Sequence, residues 1–210
     1  MIHLSEDDSQ QYIIPPKHTG KEPIDDFQTE LLDFWSWGYS DLWCNTTRSV
    51  FAEYIVGKVL GLTQDARVEW QGFDFEYVGS KLIEVKASSP FQSWKQNKLY
   101  SPHFDIKLRQ KSWIPKEGKD RAIERRVANC YVFCIFGYGA KHLSERGNYD
   151  VLRLSDWRFF VLSTSRLEEE IGKRGIKKSI SASTLKDICG DPLGHKDLKV
   201  AIHEALGLKK

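Results

Sequence analysis

Between Asn45 and Leu62 apolar side chains recur at Phe51, Ile55, Val59 and Leu62, the spacing of a helix that buries one face. Asn45 or Thr46 can cap its start and Gly61 suits a left-handed C-terminal cap, so the pattern predicts a helix over 46–60. The period then changes to two. ARVEWQ, FDFEYV and KLIEVKA are rich in β-branched and aromatic residues and are separated by Gly72 and by Gly79-Ser80, which predicts an antiparallel meander of three strands. After Pro90, FQSWKQNKLY reads as a short helix or an irregular turn, and HFDIKL as a strand. The charged stretch from Pro115 to Arg126 reads as a loop or an exposed helix. NCYVFCIFGY is an apolar run of strand length, suited to the middle of a sheet. DWRFFVLS gives a further strand, and SRLEEEIGKR, SASTLKDIC and HKDLKVAIHEALGL give small C-terminal helices. The order helix, meander, helix, strands, helices indicates an α/β fold, a mixed β-sheet with helices on its faces.

Upstream of the first helix the pattern fades. Residues 1 to about 25 are polar, carry Pro15, Pro16 and Pro23 and have no sustained period, as an extended arm would. The segment DDFQTELLDFWSWGYSDLWCN gathers Phe34, Trp35, Trp37, Tyr39 and Trp43, a density expected to cover the core, with stacking on bases as the other use for an exposed subset. A chain of 210 residues fits one domain: an arm over 1–25, a core over 46–136 and C-terminal helices over 165–210.

Charge narrows the function classes without choosing among them. With 31 Lys+Arg against 29 Asp+Glu the formal net charge is +2, so any nucleic-acid contact must come from a local patch. Ile106 to Arg126 and Gly172 to Lys178 are basic enough to supply one, or to be a solvated mixed-charge surface. No run approaches the roughly 20 apolar residues of a bilayer span, and MIHLSEDDSQQ lacks the apolar stretch of a signal peptide, so a soluble, cytoplasmic protein without a membrane partner is expected. The four cysteines form no C-x-x-C pair and are expected as buried free thiols, and the six histidines are too scattered for a metal site.

The chemistry concentrates in GFDFEYVGSKLIEVKASS, which sets Asp74, Glu84 and Lys86 among apolar neighbours. Alternation along KLIEVKA puts Glu84 and Lys86 on one face and Ile83 and Val85 on the other. Mg²⁺ is commonly bound by one or two carboxylates together with water and a substrate phosphate, a role open to Asp74 and Glu84 on adjacent strands. A lysine beside them would orient or deprotonate an attacking water, or neutralise charge in the transition state of phosphodiester hydrolysis. The bland alternative is a solvent-facing Glu-Lys pair on an ordinary hairpin. Parity divides the two readings: a two-residue loop at Gly79-Ser80 would put Asp74 opposite Val85 and on the wrong face, whereas a three-residue loop Val78-Gly79-Ser80, or a bulge, returns it to the face of Glu84. On the preceding helix Glu53 lies about 200° from Phe51, where a surface glutamate is the default reading and the flanking Val56 and Leu60 offer the alternative of a half-buried carboxylate with a partner.

Glu53 on a helix, Asp74 opening one strand and E-x-K at Glu84 and Lys86 on the next together resemble the PD-(D/E)XK nuclease superfamily, whose restriction-endonuclease-like core runs αβββαβ. The resemblance covers about Thr46 to Leu108, with a strand at 130–136 extending it; Phe73 stands where the namesake motif has proline. It implies a Mg²⁺-dependent endonuclease of restriction, repair or defence type, with Mn²⁺ able to substitute. Asp74, Glu84 and Glu53 would be metal ligands, the Val85 carbonyl a further ligand and Lys86 the catalytic cation. DNA is the first partner implied and RNA the second, with a homodimer where both strands are cut. Gln92, Lys95, Gln96, Lys107, Arg109 and Lys111 are candidate nucleic-acid contacts, although capping or solvation would equally occupy Gln92 and Gln96. A fold of this kind can also serve as a non-cleaving nucleic-acid-binding or assembly module.

Overall fold

A strand apolar at nearly every position belongs where both faces of a sheet are covered. The computed structural model, which describes residues 16–69, 72–108, 111–114, 119–122 and 126–208, puts the CYVFCIF segment there. Its elements run β1 (Pro23–Ile24), β2 (Thr29–Glu30), α1 (Leu31–Tyr39), α2 (Asn45–Leu60), β3 (Phe75–Tyr77), β4 (Lys81–Ser88), β5 (His103–Asp105), β6 (Lys111–Ile114), β7 (Lys119–Ala122), β8 (Cys130–Phe136), β9 (Trp157–Ser163), α3 (Thr164–Arg174), β10 (Ser179–Ser181), α4 (Ala182–Cys189) and α5 (Leu198–Ala205). The main sheet is four-stranded and mixed, in the order β3-β4-β8-β9. β4 lies antiparallel to β3 and parallel to β8, and β8 lies antiparallel to β9.

Alternation along β8 divides the core in two. Cys130, Val132, Cys134 and Phe136 join Ile83 and Val85 of β4 against Ala52, Ile55, Val56 and Leu60 of α2 and Leu198 and Ile202 of α5. Tyr131, Phe133 and Ile135 pack with Phe104 of β5, Leu167 of α3 and Leu185 of α4 on the opposite face. The molecule is thus a mixed sheet between two layers, with α2 and α5 on one side and α3, α4 and the β5–β10 pair on the other.

Helix α2 ends at Gly61 in the left-handed conformation, as its sequence requires. Two details differ from expectation. The N-cap is Cys44, whose Sγ accepts from the Thr47 amide at 3.5 Å, because Asn45 turns its own oxygen to Arg48. The fully buried positions are Ala52 and Val56 rather than Phe51 and Val59, since the helix lies flat on β4 and leaves its larger rings at the margin.

The expected three-stranded meander has two strands. Residues 66–69 of ARVEWQ form none, because Arg67 reaches back to Glu53 on α2 instead of entering the ladder; Trp70 and Gln71 lie outside the described residues. FQSWKQNKLY is the irregular turn, held by side chains: Gln96 Oε1 accepts from the Gln92 amide at 2.6 Å and Gln96 Nε2 donates to the Pro90 carbonyl at 3.0 Å. The strand in HFDIKL shortens to β5 and pairs with β10 rather than with the main sheet. The segment read as loop or exposed helix contains β7, which pairs antiparallel with β6 just before it. Cys130 and Cys134 are buried free thiols, whereas Cys44 is half-buried and Cys189 exposed at the end of α4. The aromatic cluster also departs from expectation: Trp43 packs on Phe136, but α1 buries none of its residues and Trp37 is 84% exposed. Among the described residues no helix is long and apolar enough to cross a membrane.

Candidate active site

Strand β4 carries two of the candidate residues on the face that parity assigns them. Glu84 and Lys86 stand beside Tyr131 and Phe133 of β8, while Ile83 and Val85 point into the α2 side of the core. Lys86 Nζ lies 2.5 Å from Glu84 Oε1, with the glutamate side chain 6% exposed and the lysine 25%. Burial of this kind requires a charge partner, and Glu84 has one. The strand is pinned at its start by Asn129, whose Oδ1 accepts from the Leu82 amide at 2.8 Å and whose own amide donates to the Leu82 carbonyl at 2.7 Å.

The turn decides where Asp74 goes. Tyr77 pairs with Lys81 and Phe75 with Ile83, so the loop is the three residues Val78-Gly79-Ser80. Gly79 (φ 67°) and Ser80 (φ 57°) are both left-handed, a conformation free for glycine and strained for serine. Continuing the count sets Asp74 across from Glu84. There the ladder ends in a side chain: the Asp74 amide donates to the Ile83 carbonyl at 2.9 Å and its Oδ2 accepts from the Val85 amide at 2.6 Å. The carboxylate takes the position a further β3 residue would have filled at the sheet edge.

Two charge groups therefore meet at Asp74. Lys86 and Glu84 lie on one side, and Glu53 on α2 lies on the other. The side chain of Glu53 is 14% exposed and forked by Arg67, whose Nε lies 2.5 Å from Oε2 and whose Nη2 lies 3.0 Å from Oε1. Arg67 also holds Glu69 at 3.0 Å, and the hydrogen bond to Glu53 raises its pKa. Burial, reinforced by the negative charges of Glu84 and Glu53, pushes the Asp74 carboxyl up to about 7; the Val85 amide and Lys86 pull the other way and lose. The close approach of α2 to β3 rests on Gly57, where a Cβ would stand 2.9 Å from the Phe75 ring and 2.9 Å from the Thr63 methyl.

No group of three His, Cys, Asp and Glu able to hold a metal ion occurs among the described residues. The donor set nevertheless fits a hard divalent cation: Asp74 and Glu84 offer carboxylate oxygens, and the negative charge that raises the Asp74 pKa is what such a cation would relieve. Arg67 complicates Glu53 as a ligand by occupying both its oxygens. Val85 contributes its amide to Asp74 and its side chain to the core.

The candidate nucleic-acid contacts divide differently. Gln92 is buried and donates from Nε2 to the Ser89 carbonyl at 3.2 Å, so with Gln96 it organises the turn after β4. Lys95 is exposed, and Lys107 is exposed 3.6 Å from Asp105. Arg109 and the Lys111 side chain lie outside the described residues. Sequence reasoning missed Arg67, whose signal was an arginine inside ARVEW with a half-buried glutamate upstream lacking a partner. It also missed Arg48, buried and held by the Trp43 carbonyl at 2.6 Å, the Phe91 carbonyl at 3.4 Å and the Asn45 side-chain oxygen, where burial lowers its pKa to about 10. No family model, curated protein or solved structure matches the chain.

Proposed function

We propose that the chain is a Mg²⁺-dependent phosphodiester hydrolase acting on nucleic acid, with DNA the first substrate and RNA the second, built on a restriction-endonuclease-like arrangement of α2, β3, β4 and β8. The observation that carries this reading is the convergence of Asp74 and Glu84 beside Lys86, with the Asp74 carboxyl pushed up to about 7 by burial and by neighbouring negative charge. A buried accumulation of carboxylates beside a lysine is costly for folding alone and suits a site that takes up a cation. A bound divalent ion would supply Lewis-acid stabilisation of the charge that develops on the phosphoryl oxygens.

The chain's own residues divide the remaining work. Asp74 and Glu84 would hold the cation, and the Val85 amide fixes the Asp74 carboxylate in place. Lys86, 2.5 Å from Glu84, orients the attacking water and offsets negative charge at phosphorus. Glu53, already neutralised by Arg67, positions the site from α2. The same pairing supports a second reading, a binding or assembly module on the same fold, because Arg67 holds both oxygens of Glu53 and so takes one carboxylate out of the metal set.

The test is cleavage of DNA and RNA oligonucleotides with Mg²⁺ or Mn²⁺ by the wild-type chain, Lys86→Ala and Asp74→Asn. The proposal expects metal-dependent cutting that falls by at least about 100-fold in both variants while oligonucleotide binding persists. Binding without cutting by the wild type under either metal supports the module instead.

A further inference from the structure

A cavity of about 660 Å³ opens beside Asp74 on the α2 side of the sheet edge, and Glu53, Arg67 and Asp74 form part of its wall. Its other walls are unlike a catalytic cleft. Trp35 of α1 and Tyr54 of α2 present aromatic rings, and Lys17 of the N-terminal arm crosses the rim. The arm is tied there because Lys17 Nζ donates to the Thr63 carbonyl and, at 3.0 Å, to the Gln64 carbonyl.

The chemistry of the wall selects its occupant. Among the described wall residues Lys17 is held by backbone carbonyls, Arg67 by Glu53 and Glu69, and His18 lies 3.8 Å from Glu22, while Glu53, Asp65, Asp74 and Glu76 line the same wall, so a phosphate would have to displace a partner from each of these basic groups. The carboxylates at its wall would repel one. A flat, uncharged ring with hydrogen-bonding edges suits two aromatic side chains rimmed by backbone and acid groups, and this volume lies in the usual range for a small-molecule site. The cavity adjoins the candidate site through Asp74, which belongs to both. A base inside a duplex cannot enter without leaving the stack.

We infer that this cavity receives one unpaired base of the strand, making the preferred substrate a single-stranded end, a bulge or a flipped nucleotide; the inference rests on the nucleic-acid reading above. Trp35 and Tyr54 stack on that base, and the Lys17 tether keeps the arm across the rim.

The test uses a single-stranded oligonucleotide carrying 2-aminopurine, titrated with the full chain in EDTA so that no cutting occurs. Saturable quenching is expected for the wild type, with affinity about tenfold or more weaker in Tyr54→Ala. Tyr54 is 49% exposed, so its truncation leaves the core intact, and Trp35→Leu should weaken quenching in parallel. Trp37→Ala, at a ring outside the cavity wall, should bind like the wild type. Equal affinity for the wild type and Tyr54→Ala, a Trp37→Ala loss as large as that of Tyr54→Ala, or tighter binding of a blunt duplex than of the single strand would each overturn the inference. Catalysis is scored separately by metal-dependent cutting, so a chain that binds the base without cutting loses only the hydrolase reading.

Discussion

Asp74 keeps its proton up to about pH 7 because burial and two neighbouring glutamates oppose its charge. A cation competes with that proton, so divalent-metal affinity should fall by up to about tenfold per pH unit below 7; calorimetric titration with Mn²⁺ at pH 6 and pH 8 checks this. Stability without metal has the opposite slope. The folded pKa stands above the ordinary value of 3.8, so the folded state binds the extra proton between about pH 4 and 7, and stability is lost as pH rises through that window. Asp74→Asn can still accept from the Val85 amide and carries no charge. It should therefore raise Tm by about 2–4 °C at pH 8, with little gain at pH 4, and should show none of the Tm increase that the proposed function predicts for the wild type with Mg²⁺. Parity alone identified Glu84 and Lys86 as sharing a face. Arg67 left only an indirect signal, because its partner lies 14 residues away on a helix whose rotation the spacing of large apolar residues misjudged.

At the scale of elements, the site depends on a turn length and on a helix contact. Deleting Gly79 would convert Val78-Gly79-Ser80 into a two-residue loop and shift the β3 register by one, turning Asp74 away from Glu84. The proposed metal-dependent cleavage should vanish while circular dichroism shows the helices retained; a deletion variant that cuts as well as the wild type would show that Asp74 has no part in the proposed reaction. Gly57→Ala offers a second check. Alanine favours a helix by about 1 kcal/mol, yet its methyl would meet Phe75 and Thr63 at 2.9 Å, so the variant should lose about 1–3 kcal/mol in urea denaturation and displace β3. The odd-length turn was legible as a condition of the site, since it or a bulge is needed to reconcile Asp74 with Glu84, and the structure takes the odd-length turn. The missing first strand was not, because ARVEW has strand composition and its arginine and glutamate serve a charge bridge to α2 that no alternation reveals.

For the whole molecule, the two-layer core was readable from β8, whose alternate residues serve opposite faces. Its position between β4 and β9 was not, because a parallel pairing across the connection from Ser88 to Cys130 leaves no local trace. The aromatic segment misled for a related reason: its density suited a core, but only Trp43 reaches one, and α1 stands at the cavity instead. The assembled molecule brings together a helix glutamate, a strand-end aspartate and a Glu-x-Lys strand around one sheet edge, and the proposed function turns on a cation held between Asp74 and Glu84. Anomalous diffraction from crystals soaked in Mn²⁺ addresses that point most directly. The account predicts an anomalous peak between the Asp74 and Glu84 carboxylates that is absent from Asp74→Asn crystals; soaked wild-type crystals with no peak there, or a peak that survives the substitution, would contradict it.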